Sequence, residues 1–396
     1  MILDIFSELQ RARPAGTSSG PEFVQQVYRD AIEQARLADE LGFGCWWTVE
    51  HHGADEFSFS SSPEMMLAVL SQHTERIRLG HSGVLAPFKI NHPLRVAERA
   101  AFLDQLSGGR LELGLARSGG TEWEAFEVDP ESSREQLREA LQMMPMMWTQ
   151  DSFEWKSDFA TIPPRNVVPK PIQQPHPPLW QTSTSPESFY MAGSLGVGVL
   201  GTTLVSPLDT LKELLGEYDR GLAECDPVGH FVNAQRSIFT FMFCAESRQA
   251  AIDSGAAEAV LWFINAAPAV FHVPRNTWID AIRGDLKDSA PESDAALDAP
   301  EVHDDLDLND PIPVIALLNR QLAGQKIDPV EAFEVMEQIE SVVIGDVAAC
   351  EAKLRGFAAI GCDRLMCLMQ MGAVSHDDVM KSIRLTGEEL IPRLAD

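Results

Sequence analysis

Short apolar runs alternate with longer segments of helical periodicity along most of the chain. Runs of strand length that are apolar throughout are typical of parallel strands buried on both faces. Between them, apolar residues recur at three- and four-residue spacing, as in 22–41 and 376–390, which predicts amphipathic helices. The pattern predicts eight strands, each followed by a helix, at 2–6, 43–49, 77–85, 111–116, 179–182, 197–200, 237–244 and 364–369.

Repeated strand–helix units imply parallel strands with helices outside them. Eight units in a chain of 396 residues favour an α/β fold of the closed (β/α)8 TIM barrel type, with insertions, as one domain over 1–396. A doubly wound open sheet is the alternative, but no GxGxxG motif follows the first strand to support it.

Two segments interrupt the alternation. The proline-rich segment 162–178 predicts an ordered, extended loop without regular structure. A longer insertion, about 263–335, separates strands 7 and 8 and contains the acid-dense stretch 280–310. A charge run of this kind predicts a solvated, mobile surface, and its position also suits a lid over the carboxyl-terminal mouth of a barrel. The two interpretations are compatible.

Composition narrows the function. The formal net charge of -28 disfavours nucleic-acid binding, because a polyanion would be repelled. The six cysteines form no CxxC pair and no signal peptide is recognised, so we expect free thiols and a cytoplasmic location. No apolar run approaches the roughly 18 residues of a membrane span, and we expect no membrane contact.

An acid and two histidines end the second predicted strand, at Glu50, His51 and His52. The carboxyl ends of parallel strands are where barrels place their chemistry. An imidazole that titrates near neutral pH suits His51 to general acid–base catalysis, and Glu50 either orients an imidazole or caps the next turn. A metal-dependent hydrolase is disfavoured, because adjacent residues of an extended strand point to opposite faces, and we predict no metal.

Eight motifs in order resemble those of the bacterial luciferase-like flavin monooxygenase family, over about 1–245 and 340–396. Each motif is weak alone, and the ordered set is specific. They read VEHH (49–52), RLG (78–80, leading to Pro87), NHPLRVAE (91–98), LDQLSGGRL (103–111), IPPR (162–165), PHPPLW (175–180), TSPES (184–188) and GCD (361–363).

The resemblance implies a (β/α)8 barrel that binds reduced FMN (FMNH2), which a separate NAD(P)H:flavin reductase delivers. Such an enzyme oxidises a small organic substrate with O2 through a flavin C4a-peroxide. The resemblance also implies a homodimer packed through the early helices. An F420-dependent hydride-transfer enzyme of the same barrel family and a non-catalytic flavin-binding protein are the alternatives. The reduced cofactor that binds, and whether O2 is consumed, would discriminate among them.

The resemblance also assigns roles to residues. His51 matches the catalytic histidine, with Glu50 beside it, and Ser82-Gly83 matches a dipeptide that lies against the flavin ring and can hold a non-prolyl cis bond. Ala116 occupies a position that holds a reactive cysteine in luciferase proper, so nothing here argues for light emission. Arg117 and Arg134 match arginines that hold the FMN phosphate, and Ser185 and Ser188 match phosphate and ribityl ligands. Thr182 and Thr184 are also predicted to bind the cofactor.

Plain structural roles compete with several of these assignments. Ser185 could be a simple helix N-cap, and Arg134 could pair with Glu131 or Glu135 on its own helix. Asn91 is predicted to cap the following helix. Five aromatic residues either wall an apolar substrate pocket or belong to the core, namely Phe57, Phe59, Trp123, Phe126 and Trp180.

Overall fold

The computed structural model describes residues 1–13, 17–271, 275–283 and 306–394. Within these ranges the strands are β1 (Ile2–Ser7), β2 (Cys45–Thr48), β3 (Arg78–Leu85), β4 (Leu111–Ala116), β5 (Phe153–Lys156), β6 (Thr161–Arg165), β7 (Leu179–Ser183), β8 (Gly198–Thr202), β9 (Arg236–Ala245), β10 (Val343–Asp346) and β11 (Arg364–Leu368).

The helices surround these strands. They are α1 (Pro21–Leu41), α2 (Pro63–His73), α3 (Pro93–Ser107), α4 (Gly120–Ala125), α5 (Pro130–Thr149), α6 (Pro186–Ser194), α7 (Leu208–Ala223), α8 (Arg248–Asp253), α9 (Ala256–Phe271), α10 (Arg275–Arg283), α11 (Pro313–Leu322), α12 (Pro329–Gln338), α13 (Val347–Ala359), α14 (His376–Leu385) and α15 (Ile391–Leu394), the last joined to α14 by a π-helical turn, Thr386–Leu390.

Eight strands close into a parallel barrel in the order β11-β1-β2-β3-β4-β7-β8-β9, and β9 pairs back with β11. These are the eight strands that the apolar runs predict, with ends that differ by at most two residues. The barrel fold is therefore confirmed. Because all eight strands run parallel, their carboxyl ends meet at one mouth, which gathers the side chains that follow each strand.

Buried charges close the opposite end of the barrel. The Arg364 guanidinium donates to both carboxylate oxygens of Asp4, at 2.7 and 2.9 Å, and the Trp47 indole N–H donates to Asp4 at 2.9 Å. Trp180 donates to Glu112 at 2.7 Å. Trp180 is fully buried among these residues near the start of β7. It is therefore a core residue and does not wall a substrate pocket.

Two predictions about irregular segments were wrong. The proline-rich segment begins with β6, which pairs antiparallel with β5 outside the barrel. Proline has no backbone N–H, but it is tolerated in an isolated two-stranded ribbon because no further strand needs that donor.

Asn91 does not cap α3, because His92 is the N-cap and accepts from the Leu94 N–H through Nδ1 at 3.3 Å.

The connection between β9 and β11 contains α8–α13 and β10 in its described part. The short strand β10 pairs in parallel with β9. The apolar pattern did not predict this strand. Of the acid-dense stretch 280–310, residues 284–305 lie outside the described residues, and so does most of the solvated surface predicted there.

Helix α9 covers the mouth of the barrel from this connection. Its Phe263 packs on Phe57 at 4.7 Å and on Phe239 of β9 at 6.0 Å, measured between ring centroids. One helical stretch in the described chain, Arg248–Phe271, has the length and composition of a membrane span, a test that buried core helices also pass. The absence of membrane contact stays a prediction.

Candidate active site

His51 lies in the loop after β2, at the mouth of the barrel, between two carboxylates. Its Nδ1 is 3.1 Å from Oε1 of Glu122 in α4, and its backbone N–H donates to the Ser60 carbonyl at 2.9 Å. Glu122 is only 1% exposed, and its Oε1 also accepts from the His52 backbone N–H at 3.2 Å. Because a carboxylate accepts only, the proton of a neutral His51 resides on Nδ1, and Nε2 is the nitrogen that can exchange a proton.

Glu8 faces the other nitrogen of the ring. It follows β1 directly, is 3% exposed, and its Oε2 lies 3.8 Å from His51 Nε2. Burial raises the pKa of Glu8 to about 7, against the attraction of the His51 imidazolium. Burial by itself would lower the pKa of His51, but the charges of Glu8, Glu122 and Glu50 outweigh it and raise that pKa.

Glu50 makes its hydrogen bond to His52, and acts on His51 through its charge alone. Its Oε1 lies 3.2 Å from His52 Nε2, and it accepts hydrogen bonds from Asn91 Nδ2 at 2.9 Å and from the Leu85 N–H at 3.0 Å. Burial would raise its pKa, but the hydrogen bonds from His52 and Asn91, with the charge of His81, lower it. Glu50 is therefore ionised and holds the imidazole of His52. This contact fits the first of the two roles that the sequence left open, orienting an imidazole, and not the capping of the next turn.

Aromatic rings pack against the imidazole of His51. The Phe271 ring, at the end of α9, is 5.2 Å from the His51 ring and 5.9 Å from Phe57. Thr121 Oγ1 donates to the Val270 carbonyl at 3.1 Å, which ties α9 to α4. His51 retains 11% side-chain exposure, so the aromatic rings and the two carboxylates together shield it from most of the solvent.

The predicted flavin-ring residues lie at the ends of β3, β4 and β7. The peptide bond between Ser82 and Gly83 is cis, a feature that the family resemblance anticipated. A Cβ on Gly83 would lie 2.8 Å from the Leu115 carbonyl carbon, 3.0 Å from the Ala116 nitrogen and 3.1 Å from Thr182 Oγ1, so only glycine fits. The Thr182 hydroxyl is buried without a hydrogen-bond partner among the described residues.

Two arginines lie together beside the amino terminus of α6. Arg117 donates from Nε to Ser133 Oγ at 2.6 Å and from Nη2 to the Pro130 carbonyl at 2.9 Å. Burial, and then the positive charge of Arg134, lower the pKa of Arg117. Arg134 forms an ion pair with Glu187 of α6, instead of the predicted partners on its own helix. Two like charges held together favour an anion between them.

Ser185 and Ser188 form a capping box at the start of α6. Ser188 Oγ accepts from the Thr184 and Ser185 backbone N–H groups, at 3.1 and 2.9 Å, and Ser185 Oγ accepts from the Ser188 N–H at 3.4 Å. The plain capping role of Ser185 is therefore present. A helix amino terminus carries partial positive charge, so this cap and an anion-binding role are compatible.

The structure brings the predicted residues into two groups at one mouth. Glu50 and His51 lie after β2, and the predicted flavin ligands lie near the carboxyl ends of β3, β4 and β7, in the loops after β4 and β7, and on α5 and α6. Their roles toward a flavin stay predictions. Sequence reasoning missed Glu8 and Glu122, the two carboxylates that flank His51. The position of Glu8 directly after the first strand was the one available signal.

No group of three or more histidine, cysteine, aspartate or glutamate side chains arranged to hold a metal ion occurs among the described residues. His51 and His52 face different carboxylates, Glu122 and Glu50 respectively.

Comparison with known proteins agrees with this fold. The family model described as luciferase-like monooxygenase matches residues 5–363. The oxygenase component of a flavin-dependent trigonelline monooxygenase from Acinetobacter baylyi is 32% identical over 55% of this chain and 59% of its own length. Limonene 1,2-monooxygenase from Rhodococcus erythropolis is 30% identical over 47% of each chain. The match thus spans only about half to three-fifths of these two relatives.

Solved structures extend the likeness over the whole chain. Monooxygenase RslO1 from Streptomyces bottropensis has a TM-score of 0.74 at 22% identity, covering 100% of both chains. The oxygenating constituent of 3,6-diketocamphane monooxygenase from Pseudomonas putida, in complex with FMN, has a TM-score of 0.69 at 18% identity, covering 99% and 98%. An F420-dependent secondary alcohol dehydrogenase shares the fold at a TM-score of 0.68 and 17% identity, covering 100% and 99%. Because the family model matches nearly the whole chain, this protein belongs to the luciferase-like monooxygenase family.

Proposed function

We propose that this protein is a two-component monooxygenase, which takes reduced FMN from a separate flavin reductase and uses O2 to oxidise a small organic substrate. One observation carries the proposal. The same barrel mouth holds a buried histidine between two carboxylates, at His51, and a pair of arginines beside a helix amino terminus, Arg117 and Arg134. The first suits proton transfer, and the second suits a phosphate.

The residues present fit FMN. The phosphate would lie between Arg117, Arg134 and the start of α6, where cationic side chains and a helix dipole act together. The unpartnered Thr182 hydroxyl beside Gly83 offers a hydrogen bond to a polar group of the cofactor. When bound, reduced FMN supplies the electrons with which O2 is activated.

The chain itself contributes proton handling and exclusion of water. His51 holds a proton at Nε2 when charged, because Nδ1 is engaged by Glu122. Phe271 and Phe57 cover this histidine, which keeps bulk water from the reacting groups. The relatives named above are monooxygenases acting on small organic molecules, which supports the same reaction class here.

The proposal is tested by anaerobic titration with reduced FMN, reduced riboflavin and reduced F420, followed by mixing with O2. Preference for reduced FMN, together with a changed rate of its reaction with O2, supports the monooxygenase. Tight binding of reduced F420 alone, without O2 uptake, overturns it in favour of hydride transfer. FMN binding that leaves the reaction with O2 unchanged overturns it in favour of a non-catalytic flavin carrier.

A variant series locates the phosphate. Arg134→Ala should weaken binding of reduced FMN by roughly 10- to 100-fold, the worth of a charge-assisted hydrogen bond, and leave riboflavin unchanged. Arg165→Ala, at an exposed arginine of β6, is the matched control and should change neither. An equal loss of both ligands would place the effect on folding instead of the phosphate.

We also propose a cytoplasmic homodimer formed through α2 and α3. These neighbouring helices expose four large apolar side chains, Met65 and Val69 of α2 and Phe102 and Leu106 of α3. Apolar patches of this kind mark association surfaces. Size-exclusion chromatography with light scattering should find a dimer for the native chain and a monomer for Phe102→Glu. A monomeric native chain overturns the proposal.

A further inference from the structure

Among the residues that the structure describes, Glu8 is the carboxylate near His51 with an oxygen, Oε2, that accepts no hydrogen bond. Its Oε2 is buried with no hydrogen bond from any described residue, at 3.8 Å from His51 Nε2. By contrast, Glu122 and Glu50 each accept several hydrogen bonds. A buried oxygen that no structural donor satisfies calls for another explanation than stability, because burial of an unpaired carboxylate is costly.

The backbone supports the same reading. Leu9, which follows Glu8 directly, has a φ of 49°, a left-handed conformation that is uncommon for a side chain of this size. Gln10 then donates to the Phe57 carbonyl at 2.8 Å and accepts from the Gly372 N–H at 3.0 Å. The chain therefore turns sharply after β1 and is held there, which directs Glu8 into the mouth.

We propose that Glu8 and His51 Nε2 act as one pair that holds a single exchangeable proton. Glu8 acts through His51, as the positioning residue that supplies Nε2 with this proton. The proposal rests on the monooxygenase function for its catalytic meaning, but the pair exists in the protein without flavin. That proton moves from the Glu8 carboxyl to His51 Nε2 and from there to a reacting group, which leaves Glu8 ionised and Nε2 unprotonated until the pair takes up another proton. The pair needs to approach by about 1 Å to reach hydrogen-bond length.

The surroundings limit which other groups affect this pair. Among the described residues, the charged groups that act on the pair are Glu122 from α4 and Glu50 from the loop after β2. The neighbouring side of α9 contributes the uncharged Phe271, and the segment 54–60 contributes Phe57 and Ser58. Burial raises the pKa of Glu8 to about 7, so its carboxyl can hold or release a proton near neutral pH, and the neighbouring carboxylates raise the pKa of His51.

The experiment is an NMR titration of the protein without flavin. With labelled histidine, His51 is assigned from the resonance that is lost in His51→Gln. Glu8→Gln should lower the pKa of His51 by about 1 or more, because an adjacent anion is removed. Glu124→Gln, an exposed glutamate of α4, is the matched control and should leave it unchanged. An unchanged His51 pKa in Glu8→Gln overturns the proposal.

A second measurement does not depend on any variant being folded. With glutamate labelled at the carboxyl carbon, Glu8 in the native chain should titrate near pH 7. A carboxyl that titrates below pH 5 cannot hold the proton near neutrality and overturns the pair. Both measurements omit FMN, so they can fail while the cofactor titrations succeed, and the reverse.

Discussion

Arg134 and Glu187 form an ion pair that places a carboxylate at the amino terminus of α6, where we propose the FMN phosphate to bind. The phosphate and Glu187 therefore compete for the same guanidinium. The Glu187 side chain is 64% exposed and can swing into solvent, so this competition is weak.

Removing the Glu187 charge should strengthen cofactor binding. Glu187→Gln is expected to lower the Kd for reduced FMN by roughly 3- to 10-fold and to leave reduced riboflavin unchanged, because only the phosphate is repelled. Anaerobic titration of both ligands measures this. Glu213→Gln, at an exposed position of α7, is the control. If FMN binds Glu187→Gln less tightly than the native chain, Glu187 assists the site and does not compete in it.

The pH dependence of stability should reveal Glu8. Its pKa in the folded chain is about 7, above the ordinary 4.5, so its stabilising contribution is complete below pH 4.5 and is lost as the pH rises to about 7. Glu8→Gln does not ionise and escapes this loss. The thermal midpoint of Glu8→Gln relative to the native chain should therefore increase from pH 5 to pH 8.

The magnitude is on the order of 1–3 kcal/mol in the free energy of unfolding. The loss of attraction to the His51 imidazolium opposes this gain at intermediate pH. Glu124→Gln should show the same midpoint difference from the native chain at both pH values. A constant difference for Glu8→Gln would mean that Glu8 is already ionised at pH 5.

The buried ion pair at the closed end of the barrel predicts a large loss of stability. Asp4→Asn leaves the Arg364 guanidinium buried beside a neutral amide, and should cost about 3–5 kcal/mol, as breaking one side of a buried pair does. Chemical denaturation measures it. Glu217→Gln, which breaks the exposed pair with Arg220, is the matched control and should have no measurable effect. Comparable losses in the two variants would show that Asp4 is not structurally special.

Phe271 should control access to His51. Phe271→Ala removes the ring that packs on the imidazole, so modification of His51 by diethylpyrocarbonate should become several-fold faster, as followed by peptide mass spectrometry. Phe231→Ala, at a ring stacked on His176 away from the mouth, is the control and should not change the rate at His51. An unchanged rate in Phe271→Ala would show that solvent reaches His51 by another path.

The sequence by itself determined the barrel and the location of its mouth. Apolar runs such as 111–116 match the strands closely because a strand covered on both faces has to be apolar at nearly every position. The same rule placed Glu50 and His51 at the mouth, since both follow a strand end. Family motifs pointed to Ser82-Gly83 and to the arginines.

Only the tertiary structure decided which side chains meet. Glu122 lies 71 positions after His51, and a helix and a strand separate Glu8 from His51. No local sequence pattern therefore pairs either carboxylate with the histidine. Trp180 and Phe57 are both buried aromatic residues, yet Trp180 packs in the core and Phe57 packs against the histidine of the site. Periodicity records whether a residue is buried, whereas barrel closure sets what it is buried against, because contacts between distant segments arise only from packing.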